Sequence, residues 1–233
     1  MNTDHIEIYP YICVYNNLMQ DSAELYSIAD HLSNDTSNNL LFDWGKWSFF
    51  GTYGSAKGSI KDPALLDKAN QNHNTNYFKE IKIYKRIQEI TKTALNDYVQ
   101  KYNVKLPEKS VIQEGVNIAK YDIDFDLAAL NKINAPSSRS MDFHTDYSSD
   151  QIDKKYNFLI TCNLYFNDDY TGGSIIFDID KERLEYKPKA GDVVVFPSGS
   201  PLFFPNNKKY LHAVETSSEK NKFLSRNYIM HEN

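Results

Sequence analysis

The chain has 233 residues and a formal net charge of −5, with a pI near 5.7. That length suits one large domain or two small ones, and the acidic balance argues against bulk electrostatic binding to nucleic acid or an anionic membrane. Hydrophobic residues at 41% and charged residues at 24% are the proportions of a soluble globular protein. No apolar run approaches the ~20 residues of a membrane span, and no basic leader followed by an apolar stretch opens the sequence. The two cysteines, Cys13 and Cys162, lie in apolar runs. They read as buried free thiols, so a reducing, cytoplasmic setting is expected.

In chain order, residues 6–15 read as one strand, with Pro10 marking an edge or bulge. Asp21 is a candidate N-cap with Glu24 at capping-box spacing, and Leu25, Ile28, Ala29 and Leu32 form a helical apolar stripe. The aromatic stretch 40–53 reads as a strand or hairpin packed on the core. Residues 76–102 are the clearest helix, with Tyr84, Ile87, Thr91, Ala94, Leu95 and Tyr98 at steps of three or four. Its other face carries Lys82, Lys85, Arg86, Glu89 and Lys92, which reads as solvated.

After Pro107 the pattern changes to strands: 111–121, 157–166, 174–179, 184–188, 193–196, and a last pair at 210–215 and 222–230. Residues 122–139 form a long polar segment, a candidate lid. About eight strands behind a helical first half predict an α+β fold with a barrel or jelly-roll core. A single domain over residues 1–233 is expected, because the long helix needs a partner for its apolar face: 1–110 as helical support with edge strands, 111–233 as the core.

The chemistry concentrates in residues 141–147 (MDFHTDY). On a strand, i and i+2 point to one face, so the imidazole of His144 and the carboxylate of Asp146 are expected to converge. His212 lies in a second strand-like run downstream. Two histidines and one carboxylate on one side of a metal make the facial triad of non-haem Fe(II) oxygenases, with positions left open for co-substrate and dioxygen. Lys222 follows across a polar turn. A lysine facing a barrel interior needs an anionic partner, and a dicarboxylate supplies one. Arg226 has the same strand parity and is the rival anchor.

Several stretches together resemble the Fe(II)/2-oxoglutarate-dependent dioxygenases, most closely the prolyl 4-hydroxylase branch. They are VNIAKY at 116–121, FHTDY at 143–147, LYFND at 164–168 leading to Gly172-Gly173, PKAGD at 188–192 leading to VFP at 195–197, and HAV at 212–214 followed by KFLS at 222–225. The resemblance covers about residues 111–230. It implies a double-stranded β-helix (a cupin-like jelly roll) and Fe(II) held by His144, Asp146 and His212. It also implies 2-oxoglutarate bound through its distal carboxylate by Lys222, with Tyr121 and Thr161 assisting; Asn163 and Tyr165 share Thr161's strand face and are weaker candidates. The implied reaction couples decarboxylation of 2-oxoglutarate to hydroxylation of a substrate C–H bond, releasing succinate and carbon dioxide, with ascorbate as a candidate reductant.

The expected substrate is a peptidyl proline. Kept beside it are the same chemistry on a free amino acid, another side chain or a nucleobase, and, as a different class, a non-catalytic metal- or ligand-binding domain. Nucleic acid is disfavoured by the acidic pI, no membrane partner is expected, and the sequence is silent on oligomeric state.

Overall fold

The computed structural model describes residues 4–16, 18–34, 43–48, 52–58, 75–113, 116–121, 139–147, 156–203, 205 and 208–232. The candidate lid at 122–138 and the aromatic residues Phe42, Phe49 and Phe50 lie outside them. Two strands open the chain, β1 (Ile6–Tyr9) and β2 (Ile12–Tyr15). They replace the single strand expected there. Tyr11 adopts φ +66°, and the chain turns back so that β1 and β2 pair antiparallel. Proline has no N–H to extend a ladder, so Pro10 suits the turn.

Helix α1 (Ser22–Asn34) starts just after Asp21, whose carbonyl accepts the Glu24 and Leu25 N–H groups. The two carboxylates of the expected capping box turn instead to helix α2 (Thr75–Lys101). Asp21 pairs with Arg86 at 2.7 Å, and Glu24 with Lys82. Arg86 also donates to the Leu18 carbonyl at 3.2 Å. It is therefore a clamp between helices rather than a member of a solvated face.

The remaining strands are β3 (Asp43–Ser48), β4 (Thr52–Gly58), β5 (Ser110–Ile112), β6 (Val116–Tyr121), β7 (Arg139–His144) and β8 (Tyr156–Tyr165). After them come β9 (Thr171–Gly172), β10 (Ile175–Ile179), β11 (Glu182–Tyr186), β12 (Val193–Pro197), β13 (Leu211–Glu215), β14 (Ser217–Ser218) and β15 (Lys222–Glu232). The large sheet runs β1-β2-β12-β8-β15-β6-β4-β3, with β5 also on β15; a smaller one runs β11-β10-β13-β7. The expected pairing of β13 with β15 does not form. The chain crosses from the small sheet to the large one between them, by way of β14, which pairs with β9. His212 and Lys222 thus stand on different walls.

Two cores result, both visible in β12. Val194 and Phe196 pack between the sheets with Ile12, Val14, Phe177 and Val214. Val193 and Val195 face the other way, toward Leu25, Ile87, Leu95 and Tyr98 of the helices. Alternation of side chains sends neighbours to opposite faces. A strand covered on both faces reads as a continuous apolar run, which is why residues 193–196 and much of 157–166 lack polar alternation. Each fully buried Ile, Leu or Val contributes roughly 1.5–3 kcal/mol, so α2 is held by its packing on the sheet.

Candidate active site

β7 ends at His144, and Asp146 lies in the loop beyond. Shared strand parity therefore does not bring them together; a turn does. The Tyr147 N–H donates to the Ser198 carbonyl at 3.0 Å, and the Thr145 hydroxyl to the Tyr147 carbonyl at 2.6 Å. Gly199 permits the close approach: a Cβ there would meet Thr145 Cγ2 at 2.5 Å, and its φ is +85°, a conformation that favours glycine. Asp146 Oδ2 accepts the Thr161 hydroxyl at 2.5 Å. The Thr161 oxygen is in turn 2.7 Å from the buried Ser198 hydroxyl.

His212 comes from β13, directly opposite His144 in the ladder. The two rings lie 4.4 Å apart. Asp146 is 3.8 Å from His144 Nε2 and 3.7 Å from His212 Nε2. One ligand atom from each of the three lies within 4.8 Å of the others. His212 Nδ1 faces the Tyr210 carbonyl at 3.4 Å, which leaves Nε2 directed at Asp146. Phe196 packs edge-on against the His212 ring at 4.9 Å.

Burial opposes charge on Asp146, yet His212, His144, the Thr161 hydroxyl and Arg226 together hold its carboxyl below the usual range. Burial pushes His212 down to about 4, so at neutral pH its ring is uncharged and keeps a lone pair. An anionic carboxylate converging with two imidazoles is a donor set for a divalent first-row metal. The residues present fit such an ion.

Lys222, the first residue of β15, is 1% exposed. Its Nζ donates to the Gly173 carbonyl at 2.6 Å. It lies 5.2 Å from the ring of Tyr165 and 5.5 Å from those of Tyr121 and Tyr170. Burial, with Lys187 adding to it and Glu215 opposing, pushes Lys222 down to about 7. An arriving carboxylate relieves that penalty, so the residues fit the distal end of 2-oxoglutarate.

Tyr121 sits opposite Lys222 in the ladder, beside the lysine as expected. Thr161 does not: it is level with Tyr228, and the β8 residue nearest Lys222 is Tyr165, level with Leu224. Thr161 serves Asp146 instead. Arg226 and Asn163 line the cavity that His144, Asp146 and His212 also line. Ser198, Tyr170 and the Gly173 carbonyl were not legible as site residues. The Gly172-Gly173 pair reads as turn chemistry, and Gly173 does have φ +72°; a Cβ there would also strike the Tyr170 ring at 2.6 Å.

Residues 130–230 match the family model described as the 2OG-Fe(II) oxygenase superfamily. No curated protein sequence matches the chain. Among solved structures, the viral collagen prolyl hydroxylase of Paramecium bursaria chlorella virus-1, as its 2OG complex, aligns over 96% of this chain and 97% of its own. Its identity is 14% and its TM-score 0.53. The Arabidopsis thaliana dioxygenase for auxin oxidation, as its 2-oxoglutarate complex, aligns over 93% and 79%, with 10% identity and a TM-score of 0.56. A Trichoplax adhaerens prolyl hydroxylase, in complex with a hypoxia inducible factor peptide, aligns over 94% and 83%, with 11% identity and a TM-score of 0.52. At these identities the likeness is one of fold. The matched segment, residues 130–230, carries His144, Asp146, His212 and Lys222.

Proposed function

We propose that the protein is an Fe(II)- and 2-oxoglutarate-dependent dioxygenase that hydroxylates a substrate C–H bond. The observation that carries this reading is the meeting of His144, Asp146 and His212 in a cavity whose wall continues to the buried Lys222. Fe(II) would be held by the three side chains, and 2-oxoglutarate by that metal and by Lys222 with Tyr121. Bound there, iron and 2-oxoglutarate supply the oxidation of the C–H bond with dioxygen, releasing succinate and carbon dioxide.

The chain's own residues do the positioning. Thr161 and Ser198 orient the Asp146 carboxylate, as outer partners of metal ligands do. Phe177 and Phe196 shield His212 from water. Lys222 orients the co-substrate. The tyrosines around it make a dry pocket in which a charged hydrogen bond counts for more than in water. The surrounding core reads as a double-stranded β-helix, with the small sheet carrying the histidines and the large sheet the cations.

For substrate, we propose a prolyl residue hydroxylated at carbon 4, supported by the fold shared with prolyl hydroxylases. The small-molecule reading stands beside it, favoured by Arg226 in the cavity wall. Ascorbate is the proposed reductant that keeps the iron ferrous. The test is anaerobic titration with Fe(II) and 2-oxoglutarate, followed by the weak metal-to-ligand charge-transfer band. The band is expected in wild type, absent in His144→Ala, and formed only at much higher 2-oxoglutarate in Lys222→Ala. No band in folded, metal-loaded wild type sinks the oxygenase reading and leaves a binding domain. The substrate is then sought by succinate release and by the gain of one oxygen on proline-rich peptides and on free amino acids.

A further inference from the structure

Tyr170 stands just ahead of β9 and is 4% exposed. Its hydroxyl is buried with no hydrogen-bond partner among the described residues. A buried hydroxyl left unpaired weakens the fold, so one kept beside a ligand site points to a bond made only when ligand is present.

The ring is held in place before any ligand arrives. β9 pairs with β14 and anchors the turn that carries it. Lys187 Nζ donates to the Tyr170 carbonyl at 2.9 Å and also to the Gly172 carbonyl, and it lies 4.5 Å from the ring centre. The ring edge at Cε2, next to the carbon that bears the hydroxyl, lies against Gly173. A Cβ at Gly173 would meet that edge at 2.6 Å and would stand 3.5 Å from Lys222 Cδ. Tyrosine and lysine thus meet over a residue without a side chain, with Lys222 Nζ 5.5 Å from the ring centre. Tyr170 acts electrostatically on the Tyr165 hydroxyl, and Tyr121 on that of Tyr170. Tyr121 and Tyr165 both line the metal cavity. Burial raises the Tyr170 hydroxyl, with Asp168, Asp192 and Asp169 adding to it, so at neutral pH it keeps a proton to donate.

The distal carboxylate of 2-oxoglutarate has about four lone-pair sites. Lysine meets a carboxylate as a point charge, without the two-pronged fork of arginine, so the oxygen that Lys222 does not take needs other donors. Thr161, expected to assist there, is spent on Asp146 and stands level with Tyr228. The ammonium has three donors, so Lys222 can keep its bond to the Gly173 carbonyl and still take the ligand.

We propose that the Tyr170 hydroxyl donates to the distal carboxylate beside Lys222 and makes the site select a 2-oxo acid that carries a second carboxylate. The proposal rests on the oxygenase reading and adds to it a residue that sets co-substrate specificity. The test is calorimetry on Mn(II)-loaded wild type and Tyr170→Phe. Each is titrated with 2-oxoglutarate and with 2-oxopentanoate, which has a methyl group in place of the distal carboxylate. Thermal unfolding of both proteins without metal is measured beside it.

Tyr170→Phe should bind 2-oxoglutarate about 10- to 100-fold more weakly, the effect of losing a hydrogen bond to a charged group. 2-Oxopentanoate should treat the two proteins alike. The metal-free variant should melt at or above the wild-type temperature, because the empty protein loses no hydrogen bond. A tyrosine that only packs would not separate the two ligands. Three results overturn the proposal: 2-oxoglutarate affinity in the variant within about threefold of wild type, an equal loss for both 2-oxo acids, or a metal-free variant that melts below wild type. Wild type that takes up Mn(II) but binds neither 2-oxo acid defeats the oxygenase reading itself, and the proposal with it.

Discussion

Replacing Lys222 by methionine should stabilise the protein free of metal and co-substrate while abolishing tight 2-oxoglutarate binding. Burial moves this lysine from 10.5 to about 7, a cost of roughly 5 kcal/mol for keeping the ammonium charged in its site. Methionine fills similar volume without that cost. It also leaves the Gly173 carbonyl without its donor, a loss of about 1–3 kcal/mol. The net gain is about 2–4 kcal/mol at neutral pH, within the range found when buried charges are replaced by apolar groups. For a chain of this size that is a rise in Tm of roughly 5–15 °C.

The gain must depend on pH, and its sign is fixed. Lys222 has a lower pKa folded than unfolded, so between about pH 7 and 10.5 the unfolded chain binds more protons. Wild-type stability therefore rises relative to the variant across that window. The methionine advantage is full below pH 7, reaches zero between about pH 8 and 10 where the remaining lysine penalty equals the lost Gly173 hydrogen bond, and is reversed near 10.5. Of the neighbouring hydroxyls, those of Tyr165 and Tyr170 are raised by burial and stay protonated through it. The assay is calorimetric unfolding of metal-free protein from pH 6 to 10, repeated with Mn(II) and saturating 2-oxoglutarate. Co-substrate should raise Tm in wild type and leave the variant unmoved. A variant less stable than wild type at pH 7, or a difference that ignores pH, would refute the argument and make Lys222 a structural residue.

Thr161→Val removes the hydroxyl that Asp146 Oδ2 accepts. Fe(II) or Mn(II) affinity should fall by about 10- to 100-fold with 2-oxoglutarate contacts at Lys222 intact, as read by metal titration; an unchanged affinity would mean that Asp146 is oriented by its loop alone. Asp146→Ala should leave a folded protein that binds no metal at micromolar levels, checked by equilibrium dialysis beside circular dichroism. Gly173→Ala forces a side chain into a +72° φ and against the Tyr170 ring; it should cost about 1–3 kcal/mol in urea unfolding and weaken 2-oxoglutarate binding. Arg86→Met breaks the clamp between the helices and should cost about 1–2 kcal/mol, with no change in metal affinity.

The candidate ligand types were readable from the chain alone, because they are chemical identities. A His-x-Asp pair, a distant histidine in an apolar run and a lysine entering the last strand name the donors whatever their arrangement. The helix α2 and the continuous apolar strands were readable too, because periodicity reports how many faces of an element are covered. The sequence also announced that Pro10 and Gly173 interrupt regular structure.

Only the tertiary structure decided how those donors meet. Asp146 reaches His144 through a loop pinned by Ser198 and Gly199, not through the strand parity that its spacing suggests. Thr161 serves the carboxylate, and Tyr165 and Tyr170 surround Lys222, because strand register sets which side chains are level. β13 and β15, neighbours in sequence, part into different sheets, so His212 and Lys222 stand on two walls, with Tyr121 lining the cavity and standing opposite Lys222. Register and sheet assignment depend on contacts between residues far apart in the chain. A local pattern shows which face a side chain takes, and only the folded chain shows what stands opposite it.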